Sequence, residues 1–507
     1  MRNIYTTSFI IYLSVLSLFL IYTFTYNYVF SDEGTHLLLS IFYKDVISNL
    51  PQTGLSYEKI YNFGINYLVH YPKLQIAYPP LYHLANAASF FVFGESVFLA
   101  RLVNLFFAVL TFSVFYVLVR KYFNEKTAFI STIFFSFSSY SLLYASRAFQ
   151  DFTAYFFIIL SIWVFAKVIE TKKTKYFLIL SLTSSLAVLS KQISAIAVVF
   201  FVAYLLYRKD MKPARFKNLA LFISVLALLL SPYAAILKMS GGFEINKIVA
   251  IGYASQQGEP TNPFDPMFWL YFLVQPIFFA PFSTMFLSLF TFYLYKKERY
   301  WKEFLIFFLV FYISLSAIPN KEQRFSQLFT LPCYVAAGFC LSKIKNKAIL
   351  PAIIILYFAV SLLIFYPTIQ SYPQEKISED VYKNLPNGAA ISLFSDDEPM
   401  FSSALIADIR LLDKNGKAVI IRSCAFSNKT KEDILKILDE TNTYFVLHSE
   451  WSKDKTIEKI KDSLRLTSET VKNNMTTRVY TYNNFKNKKP EKICNYICLT
   501  GEKICEK

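Results

Sequence analysis

The sequence predicts an α-helical polytopic membrane protein of about eleven transmembrane helices with a C-terminal extracytoplasmic α/β domain. Of the 507 residues, 55% are hydrophobic and 18% are aromatic, and the mean hydropathy is +0.38, which is too apolar for a soluble globular chain. Apolar runs at 8–30, 219–237 and 349–366 reach the roughly 20 residues that a helix needs to cross about 30 Å of hydrocarbon. After about residue 370 the apolar runs shorten, which marks the boundary between domain 1–370 and domain 371–507.

Each predicted span is an apolar run bounded by polar or basic residues. The first run is long and lacks a small-residue cleavage pattern, so we expect an uncleaved membrane helix rather than a signal peptide. The predicted spans lie near 8–30, 99–119, 127–145, 152–169, 176–190, 192–207, 217–238, 268–295, 303–318, 325–342 and 348–369.

The connecting loops differ in charge, and this difference predicts the orientation. With the N-terminus in the cytoplasm, every short loop on that side carries several Lys or Arg residues, as the positive-inside rule requires. The short loops on the outer side hold only four cations. These are Arg147, Lys191, Lys321 and Arg324. The formal charge of +17 is therefore explained by the basic cytoplasmic loops. The sequence predicts no nucleic-acid partner, because no soluble segment contains clustered cations with aromatic residues between them.

Two long outer loops are predicted within the membrane domain. Loop 31–98 contains amphipathic stretches at 56–69 and 81–93, which we expect to lie along the membrane interface. Loop 239–267 is rich in Gly and Pro, which is typical of an irregular segment that could act as a lid.

The segment after residue 370 predicts a small α/β domain. Strands are expected at 389–394, 418–421, 444–448 and 478–482, and helices at 431–440 and 453–464. The segment has no glycine-rich phosphate-binding motif. Four of the six cysteines lie outside the spans and could form two disulfides. Their spacing matches no familiar zinc pattern, so the sequence predicts no metal ligands among them.

The first candidate site follows the first span. Asp32 and Glu33 lie where the chain leaves the bilayer, and His36 follows one helical turn later. A partly desolvated carboxylate is a good general base. The same residues could instead cap an interfacial helix and favour its dipole. The sequence leaves both interpretations open.

The second candidate site combines charges at the outer ends of later spans. Arg147 and Asp151 lie four residues apart between two apolar helices, and ionisable residues near a membrane often mark function. Lys191, Lys321 and Arg324 oppose the positive-inside bias, which favours an anionic lipid phosphate at headgroup level. The alternatives are an ion pair that fixes helix ends and cations that snorkel to the headgroups.

The topology restricts the chemistry of a donor. Nucleotide sugars are cytosolic, whereas the charged clusters converge outside, so an activated sugar would have to arrive on a lipid. Attack by an acceptor hydroxyl needs a base, and cations would stabilise the departing phosphate.

The order of these motifs resembles the glycosyltransferase C superfamily, in particular protein O-mannosyltransferases and lipid A aminoarabinose transferases. The resemblance spans roughly residues 8–345. It rests on S-D-E-G-T-H at 31–36, on Y-P-P-L-Y at 78–82 with Gly94 and A-R-L at 100–102, on R-A-F-Q-D at 147–151, and on K-E-Q-R-F at 321–325 followed by Leu331-Pro332. The sequence departs from the family pattern in two ways. The motif W-W-D-Y-G is absent, which argues against an oligosaccharyltransferase, and Asn320 replaces the His that often precedes K-E.

This resemblance implies a role for each candidate residue. Asp32 would be the base of an inverting reaction, with Glu33 beside it and Asp151 as a further acidic site residue. The remaining residues would contact substrate, with Lys191, Lys321 and Arg324 at the donor phosphate. These substrate contacts are His36, Tyr82, His83, Arg147, Lys191, Lys321, Glu322 and Arg324. The expected partners are a polyprenyl- or dolichyl-phosphate sugar, most simply a mannose-like one, an acceptor protein or glycan, and membrane lipids. The pattern requires no cofactor and leaves a divalent cation open.

Two other classes of protein compete with the transferase. A transporter or flippase would show internal repeats and ionisable groups near the bilayer midplane, and neither is evident. A sensory protein would not explain why the charged loops occur in this order. The sequence favours a prokaryotic plasma membrane over the endoplasmic reticulum.

Overall fold

Helices dominate the chain because a backbone in hydrocarbon must satisfy its N–H and C=O groups within its own segment. The protein is represented by a computed structural model. It describes residues 2–23, 29, 32–53, 56–71, 78–208, 216–239, 262–279, 301–318, 323–346, 348–370, 390–394, 399–413, 418–422, 426, 429–441, 443–449, 456–472, 475–482, 494–496 and 503–505.

The chain divides into two compact units that each draw on separate stretches of sequence. The helical unit comprises Met1–Thr25, Ile76–Tyr82 and Arg101–Ile369. The second unit, here called the mixed unit, comprises Tyr26–Gln75, His83–Ala100 and Gln370–Lys507. The first predicted outer loop therefore belongs largely to the same compact unit as the C-terminal segment.

The helices of the membrane region follow the predicted apolar runs in order. They are α1 Arg2–Thr23, α5 Val97–Tyr122, α6 Glu125–Ser136, α7 Ser139–Ala145, α8 Asp151–Thr171, α9 Thr174–Ser190, α10 Ile196–Arg208, α11 Phe216–Met239, α12 Pro266–Phe279, α13 Trp301–Ser316, α14 Ser326–Ser342 and α15 Ile349–Gln370. Short 3₁₀ turns, Gln192–Ala195 and Gln323–Phe325, precede α10 and α14.

Four described helical stretches are long and apolar enough to cross a membrane. They are Tyr5–Thr23, Val97–Tyr122, Asp151–Thr171 and Lys217–Lys238. The pair α6 and α7 adds a fifth if it counts as one broken span, because the two helices bend by 67° at Phe137 and Ser138. Several other apolar stretches, such as Thr174–Ser190 and Ser326–Ser342, are shorter than this criterion requires, so the number of eleven spans stays a prediction.

The bend between α6 and α7 has a local cause. The Phe137 N–H donates to the carbonyl of Ile133 and ends α6. The Ser138 hydroxyl then accepts from the Ser141 N–H at 3.2 Å and caps the start of α7. A serine that satisfies an orphan N–H begins a new helix in a new direction.

Small residues bring α6 and α14 together. A Cβ at Gly338 would lie 2.1 Å from the Ser131 hydroxyl oxygen and 2.7 Å from its backbone nitrogen. Only glycine therefore permits this separation of the two backbones, as is common between membrane helices.

The mixed unit combines three loop helices with a sheet. Its helices are α2 Glu33–Thr53, α3 Tyr57–His70, most of α4 Leu81–Phe93, α16 Pro399–Leu412, α17 Lys431–Glu440 and α18 Thr456–Ile460. Gly94 adopts a φ of +85° directly after α4, the left-handed conformation that commonly ends helices. Helices α3 and α4 coincide with the two predicted amphipathic stretches.

The sheet has five strands in the order β2-β1-β3-β5-β4. The strands are β1 Ala390–Phe394, β2 Val419–Arg422, β3 Thr443–Ser449, β4 Leu464–Lys472 and β5 Met475–Tyr482. The pairs β1–β2 and β1–β3 are parallel, whereas β3–β5 and β4–β5 are antiparallel. Four strands coincide with predicted ones, and β4 was not predicted.

A separate ribbon pairs β6 Cys494–Tyr496 with β7 Lys503–Cys505. Its register sets the backbone of Cys494 opposite that of Cys505. Cys424 and Cys498 lie outside the described residues, and the two disulfides stay a prediction.

Candidate active site

Three charged residues meet at the ends of helices in the helical unit. Asp151 is the first residue of α8, Lys191 ends α9, and Arg324 lies in the 3₁₀ turn before α14. The Lys191 Nζ lies 2.5 Å from Asp151 Oδ1, and the Arg324 Nη1 lies 3.9 Å from Asp151 Oδ2. This group of three residues is called the Asp151 cluster below.

The cluster is buried. Asp151 is fully inaccessible, Lys191 is 7% exposed, and the Arg324 side chain is 11% exposed. Buried charges of this kind are expensive unless they are paired. Within the described part of the chain, Asp151 Oδ2 accepts no hydrogen bond, although it faces the Arg324 guanidinium.

The cluster carries more positive than negative charge. One carboxylate stands against two cations, which leaves a net charge of +1 among the three residues. In a region of low dielectric constant a cation attracts an anion more strongly than it would in water. The Asp151 cluster is therefore suited to bind a phosphate or another small anion.

Aromatic rings support both cations. The Lys191 Nζ lies 4.8 Å from the centroid of the Phe325 ring, and the Arg324 Cζ lies 5.6 Å from that of Phe149. Both distances fall within the range of cation–π attraction. Phe149 and Phe325 were not predicted as site residues, because an aromatic residue in an apolar region ordinarily indicates packing.

Hydrogen bonds fix the backbone around the cluster. The Tyr155 hydroxyl donates to the carbonyl of Arg324 at 2.9 Å. The Asn104 side-chain amide donates to the carbonyls of Tyr144 and Arg147 at 2.5 Å each. These bonds hold the turn between α7 and α8 and the turn before α14.

Asn104 was not predicted as a site residue, although its position in the sequence could have indicated one. It is a polar residue inside the predicted span 99–119 and is fully buried. Polar residues inside a span usually bond to a neighbouring helix or mark a functional path.

The acidic pair and the histidines lie in the mixed unit. The Asp32 carbonyl accepts from the His36 N–H at 3.0 Å, so position 32 stands at the start of α2. Asp32 is partly exposed, whereas Glu33 is fully buried. This geometry is compatible with both interpretations of the pair, the base and the helix cap.

A buried histidine pair follows one turn into α2. The His36 Nδ1 lies 3.0 Å from the His83 Nε2, and both residues are almost fully buried. Two neutral imidazoles can share this bond if one nitrogen carries the proton. The pair joins α2 to α4, which the sequence did not predict.

The other predicted substrate contacts are placed as follows. Tyr82 and Arg147 belong to the helical unit and are buried. Lys321 and Glu322 lie outside the described residues. Most of loop 239–267, the predicted lid, also lies outside the described residues. Among the residues that the structure describes, no three His, Cys, Asp or Glu side chains come together as metal ligands.

Comparisons with known proteins identify the fold. Residues 77–236 match the family model of dolichyl-phosphate-mannose-protein mannosyltransferase. ArnT from Cupriavidus metallidurans, in a crystal structure with undecaprenyl phosphate, superimposes with a TM-score of 0.61 at 13% identity, over 93% of this chain and 98% of that one. The chain has a glycosyltransferase C fold.

A second structure of the same fold is the oligosaccharyltransferase AglB from Archaeoglobus fulgidus, in complex with an inhibitory peptide and a dolichol-phosphate. It matches with a TM-score of 0.54 at 13% identity, over 96% of this chain and 75% of AglB. The resemblance predicted from the sequence is confirmed for the fold, because the two structures match over 93% and 96% of this chain.

A relative in sequence is an uncharacterized protein of Aquifex aeolicus (strain VF5). It is 24% identical over 341 residues, which is 64% of this chain and 64% of the relative. The chain thus matches just under two thirds of that protein's length. The family-model segment of the glycosyltransferase C fold includes Asp151 and Lys191, and it ends before Arg324.

Proposed function

We propose that this protein transfers a sugar from a polyprenyl-phosphate donor to an acceptor on the extracytoplasmic face of a membrane. The observation that carries the proposal is the Asp151 cluster, a buried group of net charge +1 at the ends of apolar helices. Such a group favours an anion that approaches from within or beside the membrane, and a lipid phosphate meets that requirement.

The matched structures support a lipid donor. ArnT was crystallised with undecaprenyl phosphate and AglB with a dolichol-phosphate, and both ligands are polyprenyl lipids with a phosphate headgroup. In this chain the Arg324 guanidinium and the Lys191 ammonium would bind the phosphate. The Phe149 and Phe325 rings would keep the two cations in place while the lipid enters and leaves.

The proposed chemistry is a single displacement. An acceptor hydroxyl oxygen attacks the anomeric carbon while the bond from that carbon to the phosphate oxygen breaks. The acceptor proton passes to a carboxylate, and the bonding electrons leave with the phosphate. The sugar configuration inverts, and the two cations stabilise the negative charge that develops on the leaving group.

Asp32 is the proposed base. It is the more exposed member of the acidic pair, so an acceptor hydroxyl can reach it, whereas Glu33 is fully buried. A carboxylate at the edge of a membrane is partly desolvated, and this increases its basicity. Glu33 remains the second candidate. A mannose-like sugar is proposed from the family model alone.

The direct test uses purified full-length protein in lipid vesicles with a radiolabelled polyprenyl-phosphate mannose. Transfer predicts that label moves to an added acceptor fraction and that free polyprenyl phosphate accumulates. A transporter would instead move the intact labelled lipid between leaflets without cleaving it. The proposal would be contradicted if the label stayed on the lipid whichever acceptor fraction was added. It would also be contradicted if the protein used a nucleotide sugar in the absence of any lipid.

A further inference from the structure

Arg410 of α16 contacts α2, α3 and the residue that lies two positions after α4. Its Nη2 lies 2.5 Å from Asp45 Oδ2 on α2, and its Nη1 lies 3.4 Å from Glu95 Oε2 directly after α4. Its Nε donates to the Tyr67 hydroxyl on α3 at 3.1 Å. The Arg410 side chain is 7% exposed, so these bonds are largely shielded from water.

The charges around Arg410 balance. The Lys44 Nζ lies 2.8 Å from Glu95 Oε1 and 3.5 Å from Asp45 Oδ1, so two cations face two carboxylates. Burial alone would lower the pKa of Arg410, but Tyr67, Asp45 and Glu95 outweigh it and hold that pKa above its ordinary value. The guanidinium is charged at every accessible pH.

A second group of bonds ties the end of α16 to the end of α3. Asp413 Oδ2 accepts from the Tyr71 hydroxyl and from the Ala418 N–H, each at 2.7 Å. The His70 Nδ1 lies 2.8 Å from the Ala418 carbonyl oxygen. The C-terminal segment is therefore fixed to the outer loop at two places.

The helices that Arg410 joins also carry candidate active-site residues. Helix α2 begins with Glu33 and His36, and α4 contains His83, which shares a hydrogen bond with His36. Asp45 lies nine residues after His36, which is roughly 14 Å along a helix. Helix α2 is thus held to α4 near the histidines and, through Arg410, to the residues that directly follow α4.

We propose that Arg410 is a positioning residue, through which the C-terminal domain sets the placement of Asp32, Glu33 and His36. Two attachment points about 14 Å apart fix the direction of α2 relative to α4, whereas one point would leave it free to pivot. The effect on catalysis rests on the proposed function, in which the start of α2 supplies the base. The effect of Arg410 on the placement of α2 does not depend on the proposed function.

Hydrogen–deuterium exchange of the full-length protein tests the structural part. In Arg410→Gln we expect the amides of α2 between His36 and Asp45 to exchange at least about tenfold faster than in the wild type, because local opening becomes easier. Arg478→Gln is the matched control, since Arg478 pairs with Glu469 on the solvent-exposed face of the same domain. Unchanged exchange in Arg410→Gln would overturn the proposal.

Transfer kinetics test the catalytic part. We expect kcat to fall by roughly tenfold to a hundredfold in Arg410→Gln, the scale that a small misplacement of reacting groups produces. Photo-crosslinking of the lipid donor should stay normal, because Arg324 binds it. Arg410→Lys, which retains the charge but not the fork of donors, should recover part of kcat. A normal kcat in Arg410→Gln would contradict the positioning role.

One further variant and the wild-type exchange data keep the result interpretable. If Arg410→Gln fails to fold, Asp45→Asn weakens the same bridge from α2 while Arg410 keeps Glu95, and the same faster exchange in α2 is expected. Normal exchange in α2 of Asp45→Asn would then contradict the proposal. If the wild type transfers no sugar, the proposed function fails, and the exchange data still decide whether Arg410 holds α2.

Discussion

The ammonium of Lys191 lies 2.5 Å from the carboxylate of Asp151, although 40 residues separate them in sequence. Both side chains are buried, so each charge depends on the other. Removing one partner of a buried pair costs about 3 to 5 kcal/mol, whereas replacing both can be nearly neutral. This difference provides a clean test of the pair.

We expect Asp151→Asn to lower the stability of the purified protein by about 3 kcal/mol or more, because Lys191 and Arg324 both lose the carboxylate that they face. The double variant Asp151→Asn with Lys191→Met should recover part of that loss, because only the contact of Arg324 with Asp151 is then lost without compensation. Thermal unfolding in detergent measures both. Additive destabilisation in the double variant would contradict a direct coupling of the two residues. Transfer activity should be lost in both variants.

Asp32→Asn should reduce the rate of sugar transfer by about 100-fold to 10,000-fold, the usual contribution of a general base. Expression and membrane insertion should stay normal, because the substitution preserves shape. Asp462→Asn is a suitable control, since Asp462 is highly exposed in the C-terminal domain. Near-normal turnover in Asp32→Asn would favour Glu33 as the base, which Glu33→Gln then tests.

Arg324→Ala should weaken donor binding by roughly tenfold to a hundredfold, because a charge-assisted contact contributes on the order of 1.5 to 3 kcal/mol. Photo-crosslinking with a polyprenyl-phosphate sugar measures this directly. Arg208→Ala provides the control, since Arg208 lies at the opposite end of α10 from Lys191. Unchanged labelling in Arg324→Ala would indicate that Arg324 only snorkels.

Gly338→Val should destabilise the helical unit by about 1 to 3 kcal/mol, the usual cost of overpacking. The new Cβ would overlap Ser131, including its backbone nitrogen, so moving a side chain cannot relieve the clash. Gly64→Ala serves as the comparison, because the nearest atom to its Cβ, Phe42 Cζ, lies 3.9 Å away. Equal thermal stability of both variants would show that α6 and α14 separate easily.

Thiol labelling of intact cells tests the orientation. A cysteine introduced at Asp462 should react with an impermeant reagent from outside, and one at Lys173 should react only after the membrane is opened. Both positions are exposed to solvent. The reverse pattern would place the candidate site in the cytoplasm and remove the argument for a lipid donor.

The sequence predicted individual helices better than the way they assemble. The apolar runs located the membrane helices because span length follows from bilayer thickness. Charge bias singled out Lys191 and Arg324, and Asp151 was added as an ionisable residue near the membrane and through the family resemblance. Their meeting within 4 Å depends on how α8, α9 and α14 pack, and no local pattern encodes such packing.

The misses have physical causes of their own. Arg410 lies on an amphipathic helix, where an arginine usually indicates a solvated face, so its burial depends on partners hundreds of residues away. The predicted helix 453–464 stops at Ile460 and passes through a 3₁₀ turn into β4. Tertiary pairing with β5 decides the conformation there, because strand propensity depends strongly on context.

The bond between Asp45 and Arg410 joins residues that the ribosome adds at very different times. The two residues are 365 positions apart, and a ribosome adds about 5 to 20 residues per second. Arg410 is therefore added to the chain roughly 20 to 70 seconds after Asp45. During that interval Lys44 is the one described cation that can pair with Asp45 and Glu95, and we expect loop 31–98 to resist proteolysis less than it does in the finished protein.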